Sequence, residues 1–343
     1  MSGACERVDV TGGPLRIGVL GCSAIARRRT LPVVRDVERI EVAAVASRSA
    51  DKARDYAAEF GGEPCGYREL LARPDVDAVY IGLPNAMHHE WARRALLAGK
   101  HVLCEKPLTT DHASAKDLED LATTRRLVLR ENFAFLNHPQ HDEVKRLVAD
   151  GRLGTVRTLT AAFGFPPLSA TDIRYRPELG GGALLDAGVY PIRLAWHLLG
   201  DGLSVAGAAL RVDPALGVDV SGHALLTSPD GVFADLQFGF QHTYRSRYEI
   251  WGSEAALRLD HAFTPPPGHR SSLDIEEQDH GEQLVMPAAH QFRLSVERFA
   301  DAVLAGWSPE NEAPWLAGAR ETARLAEEIR AVAVTVPAQA GAA

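Results

Sequence analysis

Leu15-Arg16-Ile17-Gly18-Val19-Leu20-Gly21-Cys22-Ser23-Ala24-Ile25-Ala26-Arg27-Arg28-Arg29 is the stretch whose reading decides the fold. Its first six residues are almost all apolar, as suits a strand covered on both faces of a parallel sheet. Gly21 opens a turn, and the run from Arg27 towards Val34 reads as a helix. Strand, glycine turn and helix in that order form a cradle for phosphate, because the first helical N–H groups and the helix dipole favour an anion. The turn departs from the full dinucleotide fingerprint: Ser23 stands where a second glycine belongs, and Ala26 where a third does. Its position between strand and helix, near the start of the chain, carries the reading.

The same alternation continues outward. Residues 42–46 read as a second strand, ending in Ser47-Arg48-Ser49 with Lys52 just beyond. A site for NAD carries an acidic side chain here for the ribose 2′-OH. A hydroxyl and cationic groups suit a 2′-phosphate instead, so NADP(H) is the expected cofactor. Helices are expected at 51–60, 67–72 and 88–98, and further strands at 77–81, 101–104 and 125–129, with Asn132 beyond the last. Ligands in such sheets sit in the loops at the carboxyl ends of the strands. Leu83 and His88-His89 lie in one such loop; Glu105-Lys106-Pro107 forms another, where proline stiffens the backbone beside the lysine. Neighbouring histidines on a helix diverge, so His88-His89 reads as a cofactor contact or a cap rather than a metal pair. His138 and His141, at the start of a helix running to residue 150, have no carboxylate or cysteine cluster beside them and read as surface or cleft residues. No metal site is expected.

From residue 156 the texture changes to β-like runs at 158–163, 204–211, 223–227, 232–240, 247–251 and 257–260. Helices at 290–305 and 315–332 end the chain, the last expected to pack back on the first domain. The fold class expected is α/β. A Rossmann domain with a doubly wound parallel sheet spans 15–135, after a flexible tail over 1–14. An α+β domain with a large, mostly antiparallel, open-faced sheet spans 136–335. Into the start of this second half is set Gly180-Gly181-Gly182-Ala183-Leu184-Leu185-Asp186-Ala187-Gly188-Val189-Tyr190-Pro191. The glycines allow close backbone approach, and Asp186 and Tyr190 stand four apart on one helical face. That pairing reads either as a site or as a helix start with a buried tyrosine.

A chain of 343 residues is too long for one small core. A hydrophobic content of 46% with 24% charged residues is that of an ordinary soluble globular protein. The net charge of −8 argues against nucleic acid or an anionic membrane as partner. No apolar run approaches the ~20 residues of a membrane span, and residues 1–14 lack the apolar core of a signal peptide. Cys5, Cys22, Cys65 and Cys104 lie singly, as reduced thiols do, and a cytoplasmic location is expected.

The turn, Glu105-Lys106-Pro107 and the Gly-Gly-Gly-x-Leu-x-Asp-x-Gly-x-Tyr run from Gly180 to Tyr190 together resemble the glucose–fructose oxidoreductase / inositol dehydrogenase / MocA family. The likeness extends from Leu15 to the C-terminal helix. Most of that family has histidine at the place of Tyr190, and two branches with tyrosine there are free-sugar or diol dehydrogenases and sugar-nucleotide 3-ketoreductases. Glu131-Asn132-Phe133, His138-Pro139-Gln140-His141, Asp172-Ile173-Arg174-Tyr175 and Phe263-Thr264-Pro265-Pro266 look most like the ketoreductases. The resemblance implies NADPH-dependent reduction of the C3 ketone of a dTDP-linked 3,4-diketo-2,6-dideoxyhexose. It also implies a site for each ligand. Cys22, Ser23, Ala24, Ile25, Ala26, Arg27, Arg28, Ser47, Arg48, Lys52, Leu83, His88, Glu105, Lys106, Asn132, Arg174 and Asp186 would surround NADP. Arg29, Lys106, Tyr190, Tyr244 and Thr264 would face the dTDP-sugar. Lys106 and Tyr190 would be catalytic, the ammonium favouring phenolate and burial lowering the lysine; which of them gives the proton stays open. An open sheet face implies a homodimer or homotetramer. A regulator that binds NADP without chemistry is the alternative outside the enzymes.

Overall fold

Two sheets organise residues 13–338, which the computed structural model describes. The tail expected over 1–14 falls almost wholly outside them, as does Cys5. The first sheet holds β1 (Leu15–Leu20), β2 (Ile40–Ala46), β3 (Glu63–Cys65), β4 (Ala78–Ile81), β5 (His101–Cys104) and β6 (Leu129–Glu131). All are parallel, in the order β3-β2-β1-β4-β5-β6. The order reverses between β1 and β4, so the carboxyl ends of these two strands frame the crevice where such sheets take a ligand. The connections are α1 (Leu31–Arg35), α2 (Ala50–Phe60), α3 (Tyr67–Ala72), α4 (His88–Leu97) and α5 (His112–Arg125). The fifth strand expected at 125–129 is a correction. Helix α5 runs through Arg125, Arg126 turns into the left-handed region at φ 55°, and the strand starts only at Leu129. Helix α5 buries only Ala115, Leu118 and Ala122 in a polar stretch, so it carries little apolar periodicity to read.

After α6 (Pro139–Ala149) the chain forms β7 (Val156–Gly164), then α7 (Val189–Leu199). Next come β8 (Ser204–Asp213), β9 (Val218–Thr227), β10 (Phe233–Gly239), β11 (Arg245–Gly252), β12 (Ala256–Asp260), β13 (Ser272–Glu276) and β14 (Gly281–Val285). Helices α8 (Gln291–Ala305) and α9 (Pro309–Val332) precede the last strand, β15 (Val334–Pro337). The nine strands lie in the order β14-β13-β12-β11-β7-β10-β9-β8-β15. Only the β7–β10 and β8–β15 pairs are parallel. Along β11, Ser246, Tyr248 and Ile250 point inward while Arg245, Arg247, Glu249 and Trp251 are exposed, the alternation of a sheet with one wet face.

Helix α9 is shared between the two cores. Leu316 and Ala319 pack with the first sheet, whereas Leu325, Ala326 and Ile329 pack with the second. Arg320 on α9 pairs with Glu119 on α5 at 2.8 Å, and Arg130 on β6 pairs with Glu312 at 2.6 Å. His138 and His141 are neither surface nor cleft residues: both are fully buried. The start of α6 turns under the second sheet, where His141 Nε2–H donates to the Ala262 carbonyl and the Tyr248 hydroxyl donates to Nδ1. No helix among the described residues is long and apolar enough to cross a membrane.

Candidate active site

A cleft of about 560 Å³ opens at the carboxyl ends of the first sheet and is closed on its far side by the loop that leads into α7. Gly21, at φ 99°, brings the turn against the β4 exit: a Cβ there would lie 2.8 Å from Leu83 Cδ2 and 2.9 Å from the Gly82 carbonyl oxygen. The helix after the turn begins with a widened i→i+5 turn over Ala26–Thr30, in which Leu31 N–H reaches the Ala26 carbonyl. Such widened turns are frequent at functional sites. Cys22, Ser23, Ile25 and Arg28 line the cleft, as do Ser47, Arg48 and Lys52 at the end of β2. Ala24, Ala26, Arg27 and Arg29 do not. Ala26 is fully buried in the core beneath. Arg27 turns away to pair with Glu59 and lies 5.3 Å over the Tyr56 ring; Ala24 and Arg29 face solvent.

Lys106 leaves the end of β5 and meets Asp186. Its ammonium donates to Asp186 Oδ1 at 2.8 Å and to the Asp186 carbonyl at 2.8 Å. Arg174 Nε donates to the other carboxylate oxygen, Oδ2, at 2.7 Å, and its Nη1 reaches Asp172 at 3.1 Å. Burial alone would push Asp186 up, but the two cations more than offset it and hold the carboxyl at about 2. The backbone that presents Asp186 is itself unusual. Leu184–Gly188 is a second widened turn, and Asp219 Oδ2 accepts its first N–H, from Leu184, at 2.6 Å. A Cβ on Gly181 would lie 2.5 Å from the Arg174 carbonyl oxygen and 2.8 Å from that of Arg176, so only glycine lets the Arg174 loop lie this close. Asn85 Nδ2 donates to the Gly180 carbonyl at 2.9 Å, tying the β4 exit loop to the same run.

Tyr190 sits one turn beyond Asp186, its ring packed by Phe163 at 4.7 Å, Phe133 at 5.3 Å, Phe263 at 5.7 Å and Phe135 at 5.8 Å between centroids. Lys106 Nζ lies 5.0 Å from the centre of that ring, over its face, as a cation–π pair. Burial pushes the phenol well above its ordinary value, and the carboxylates of Asp186 and Glu105 add to it. Asp186 pairs with Lys106 as well as with Arg174, so the ammonium over the ring is matched by a carboxylate. These surroundings favour the phenol form of Tyr190.

Glu105 is buried beside Lys106. Its Oε1 accepts from Tyr80 Oη and Asn132 Nδ2, both at 2.8 Å, and Asn132 Oδ1 accepts from Ser295 at 2.7 Å. Burial raises the Glu105 carboxyl in spite of these donors. His88 is fully buried, with ring nitrogens 2.7 Å from the carbonyls of Pro107 and Leu83. It braces the two loops that carry the cleft floor. Thr264 lines the cleft, whereas Tyr244 is 45% exposed and off its wall, with its hydroxyl 2.5 Å from Thr264 Oγ1. The residues that sequence reasoning missed are Tyr67, Asn85, Asp172, Gln291 and the aromatic wall of Phe135, Phe163, Phe165 and Phe263. The carboxyl-end rule points to Asn85, in the loop that follows β4; the phenylalanines are scattered along the chain and leave no local signal.

The sequence matches two family models: an oxidoreductase family with an NAD-binding Rossmann fold, over residues 15–133, and the GFO/IDH/MocA C-terminal domain, over residues 141–258. It is 53% identical to a dTDP-3,4-didehydro-2,6-dideoxy-α-D-glucose 3-reductase of Streptomyces violaceoruber, over 84% of this chain and 85% of that one. To the enzyme of the same name from Actinomadura kijaniata it is 48% identical, over 92% and 95%. The crystal structure of a 3-ketoreductase from Actinomadura kijaniata in complex with NADP and TDP-benzene superposes with a TM-score of 0.92 at 47% identity, covering 95% of this chain and all of that one. Both halves of the molecule, and the cleft between them, are thus accounted for by one lineage, and the chain belongs to the Gfo/Idh/MocA oxidoreductase family.

Proposed function

We propose that this protein is an NADPH-dependent 3-ketoreductase that reduces the C3 ketone of a dTDP-linked 3,4-diketo-2,6-dideoxyhexose in deoxysugar biosynthesis. The observation that carries the chemistry is the Lys106–Asp186–Arg174 cluster against the Tyr190 ring, at the carboxyl ends of a dinucleotide-type sheet. The near full-length likeness to 3-reductases supplies the substrate class.

The residues present fit NADP. Gly21 lets the β1 turn pack against the β4 exit and set the cradle, and the hydroxyl of Ser47 with the cations of Arg48 and Lys52 suits a 2′-phosphate. Ser23, Ile25 and Arg28 would hold the diphosphate, while Leu83, Glu105, Asn132, Arg174 and Asp186 would enclose the nicotinamide end. When bound, NADPH supplies the hydride. The protein supplies the proton and the charge. Lys106 spends two N–H groups on Asp186 and has one left to donate to the C3 oxygen. Its positive charge stabilises the developing alkoxide, the kind of fixed electrostatic aid that is usually the largest catalytic term. Tyr190, already in its acid form, gives up the proton, a role worth about 10²- to 10⁴-fold in rate. Phe133, Phe135, Phe163 and Phe263 pack around the Tyr190 ring and hold it in place. Thr264 and the Tyr244 hydroxyl bonded to it would take the nucleotide sugar at the cleft edge, with Arg29 further out.

Exposed Leu225, Phe233 and Trp251 on the open face of the second sheet support a homodimer or homotetramer. Their setting is taken to be the cytoplasm. The test is NADPH oxidation with freshly generated dTDP-3,4-diketo-2,6-dideoxyhexose, beside D-xylose with NADP. Turnover of the nucleotide sugar alone is the expected result. Turnover of D-xylose alone would transfer the same site to a free-sugar dehydrogenase and overturn the proposal.

A further inference from the structure

The two catalytic side chains stand on different elements, Lys106 in the loop after β5 and Tyr190 at the start of α7, and a fully buried carboxylate joins the two. Glu131, the last residue of β6, has a side chain only 2% exposed. Its Oε1 accepts the backbone N–H of Leu108, two residues after Lys106, at 2.7 Å. Its Oε2 accepts from Arg193 Nη1 at 3.2 Å. Arg193 lies three residues after Tyr190 on α7, so its side chain leaves the helix one turn from the phenol. Neither Glu131 nor Arg193 lines the cleft. The chain has made costly room for this pair. Arg193 is among the largest side chains that are fully buried, its Nε has no partner among the described residues, and a Cβ on Gly318 of α9 would lie 2.5 Å from its Cζ. Arg193 Nη1 also reaches Thr322 of α9 at 3.4 Å.

A buried ion pair of this kind is a weak source of stability, since desolvation cancels much of the attraction, so its presence asks for another reason. We propose that Glu131 is a positioning residue that sets the Lys106 loop against the Tyr190 helix by holding Leu108 N–H with one oxygen and Arg193 with the other. The proposal rests on the reading of Lys106 and Tyr190 as catalytic. A rigid strand end is well suited to the task. Glu131 is fixed by its parallel pairing with β5, the strand that delivers Lys106, so one carboxylate references both groups to the same sheet.

The test uses the full chain and four variants. Glu131→Gln preserves shape and the acceptor for Leu108 N–H but removes the charge facing Arg193. It is expected to lower kcat about tenfold while the KM for nucleotide sugar and the Kd for NADP stay within twofold. Glu131→Gln combined with Arg193→Met removes both buried charges, which restores thermal stability if the single variant has lost it. In this double variant kcat is expected to stay low, because the tie between the loop and α7 is still missing. Recovery of kcat together with stability would mean a merely structural pair and would overturn the proposal, as would a wild-type kcat in Glu131→Gln. Lys106→Met and Tyr190→Phe separate the two levels. If both keep wild-type turnover, the catalytic reading itself has failed; if both lose it while Glu131→Gln does not, only the positioning role has.

Discussion

Replacing Asp186 by asparagine probes the centre of the site with little change of shape. In the native chain each carboxylate oxygen faces one cation, Lys106 at 2.8 Å and Arg174 at 2.7 Å. With an effective dielectric of about 20, each contact is worth about 6 kcal/mol of direct Coulomb attraction, most of it cancelled by desolvation. Asparagine keeps one acceptor oxygen, enough for one of the two cations, and leaves the other beside a neutral amide in a buried setting. Breaking a buried pair in this way costs about 3–5 kcal/mol, and the melting temperature is expected to fall clearly. In turnover the expectation is about a hundredfold loss of kcat, or about 2.7 kcal/mol of transition-state stabilisation. The decisive assay is a double-variant cycle with Lys106→Met, followed as kcat for the nucleotide sugar at saturating NADPH. If Asp186 acts by holding Lys106, adding Asp186→Asn to Lys106→Met costs less than about threefold, because the group it positions is already gone. Full additivity of the two losses, in variants that still bind NADP, would refute the reasoning and give Asp186 an independent role.

Other expectations follow from the same geometry. Lys106→Met and Tyr190→Phe should each lower kcat by about 10²-fold or more while the Kd for NADP, measured by fluorescence titration, changes little; equal losses in binding would contradict the proposed roles. Arg48→Ala should weaken NADP about ten- to a hundredfold, the loss of one charge-assisted phosphate contact, and leave NAD almost unaffected; an equal loss for both cofactors would move Arg48 away from the 2′-phosphate. Gly181→Ala should destabilise by about 1–3 kcal/mol through overpacking against two carbonyls and impair turnover by shifting Arg174, visible in denaturation and kinetics together. Burial depresses His101 and His138 to about 4 and His197 to about 3. The unfolded chain therefore binds more protons than the native one between those values and about 6.5, so stability is full above pH ~6.5 and is lost as pH falls from there towards 4, by up to about 3 kcal/mol per histidine. Urea midpoints that stay level from pH 7 to 5 would contradict this.

What could be read from the sequence was what local chemistry imposes. An apolar strand, Gly21 and the start of a helix are a contiguous solution to binding phosphate, and Ser47-Arg48 with Lys52 stands at a fixed offset from that solution, so both were legible. Lys106 was legible for the same reason, as a lysine directly off a strand with proline behind it. Helix α5 was not, because its buried stripe is only alanines and one leucine, and β14 and β15 were not, because edge pairing rather than burial defines them; in β13 only Leu273 and Ile275 are apolar and buried, too short an alternation to stand out. Arg27 shows a subtler point of placement. It follows the phosphate turn like its neighbours, but the widened turn over Ala26–Thr30 rotates consecutive side chains differently from an α-helix, so Arg28 enters the cleft and Arg27 pairs with Glu59. The state of Tyr190 lies furthest from sequence. Lysine next to tyrosine suggests a phenolate, but here Asp186 pairs with the lysine, phenylalanines from distant segments pack the ring, and Glu105 adds a second carboxylate. No one of those segments carries the information alone. What surrounds Tyr190 is set by their convergence, and its preference for the phenol form is accordingly a property of the fold rather than of the motif that contains it.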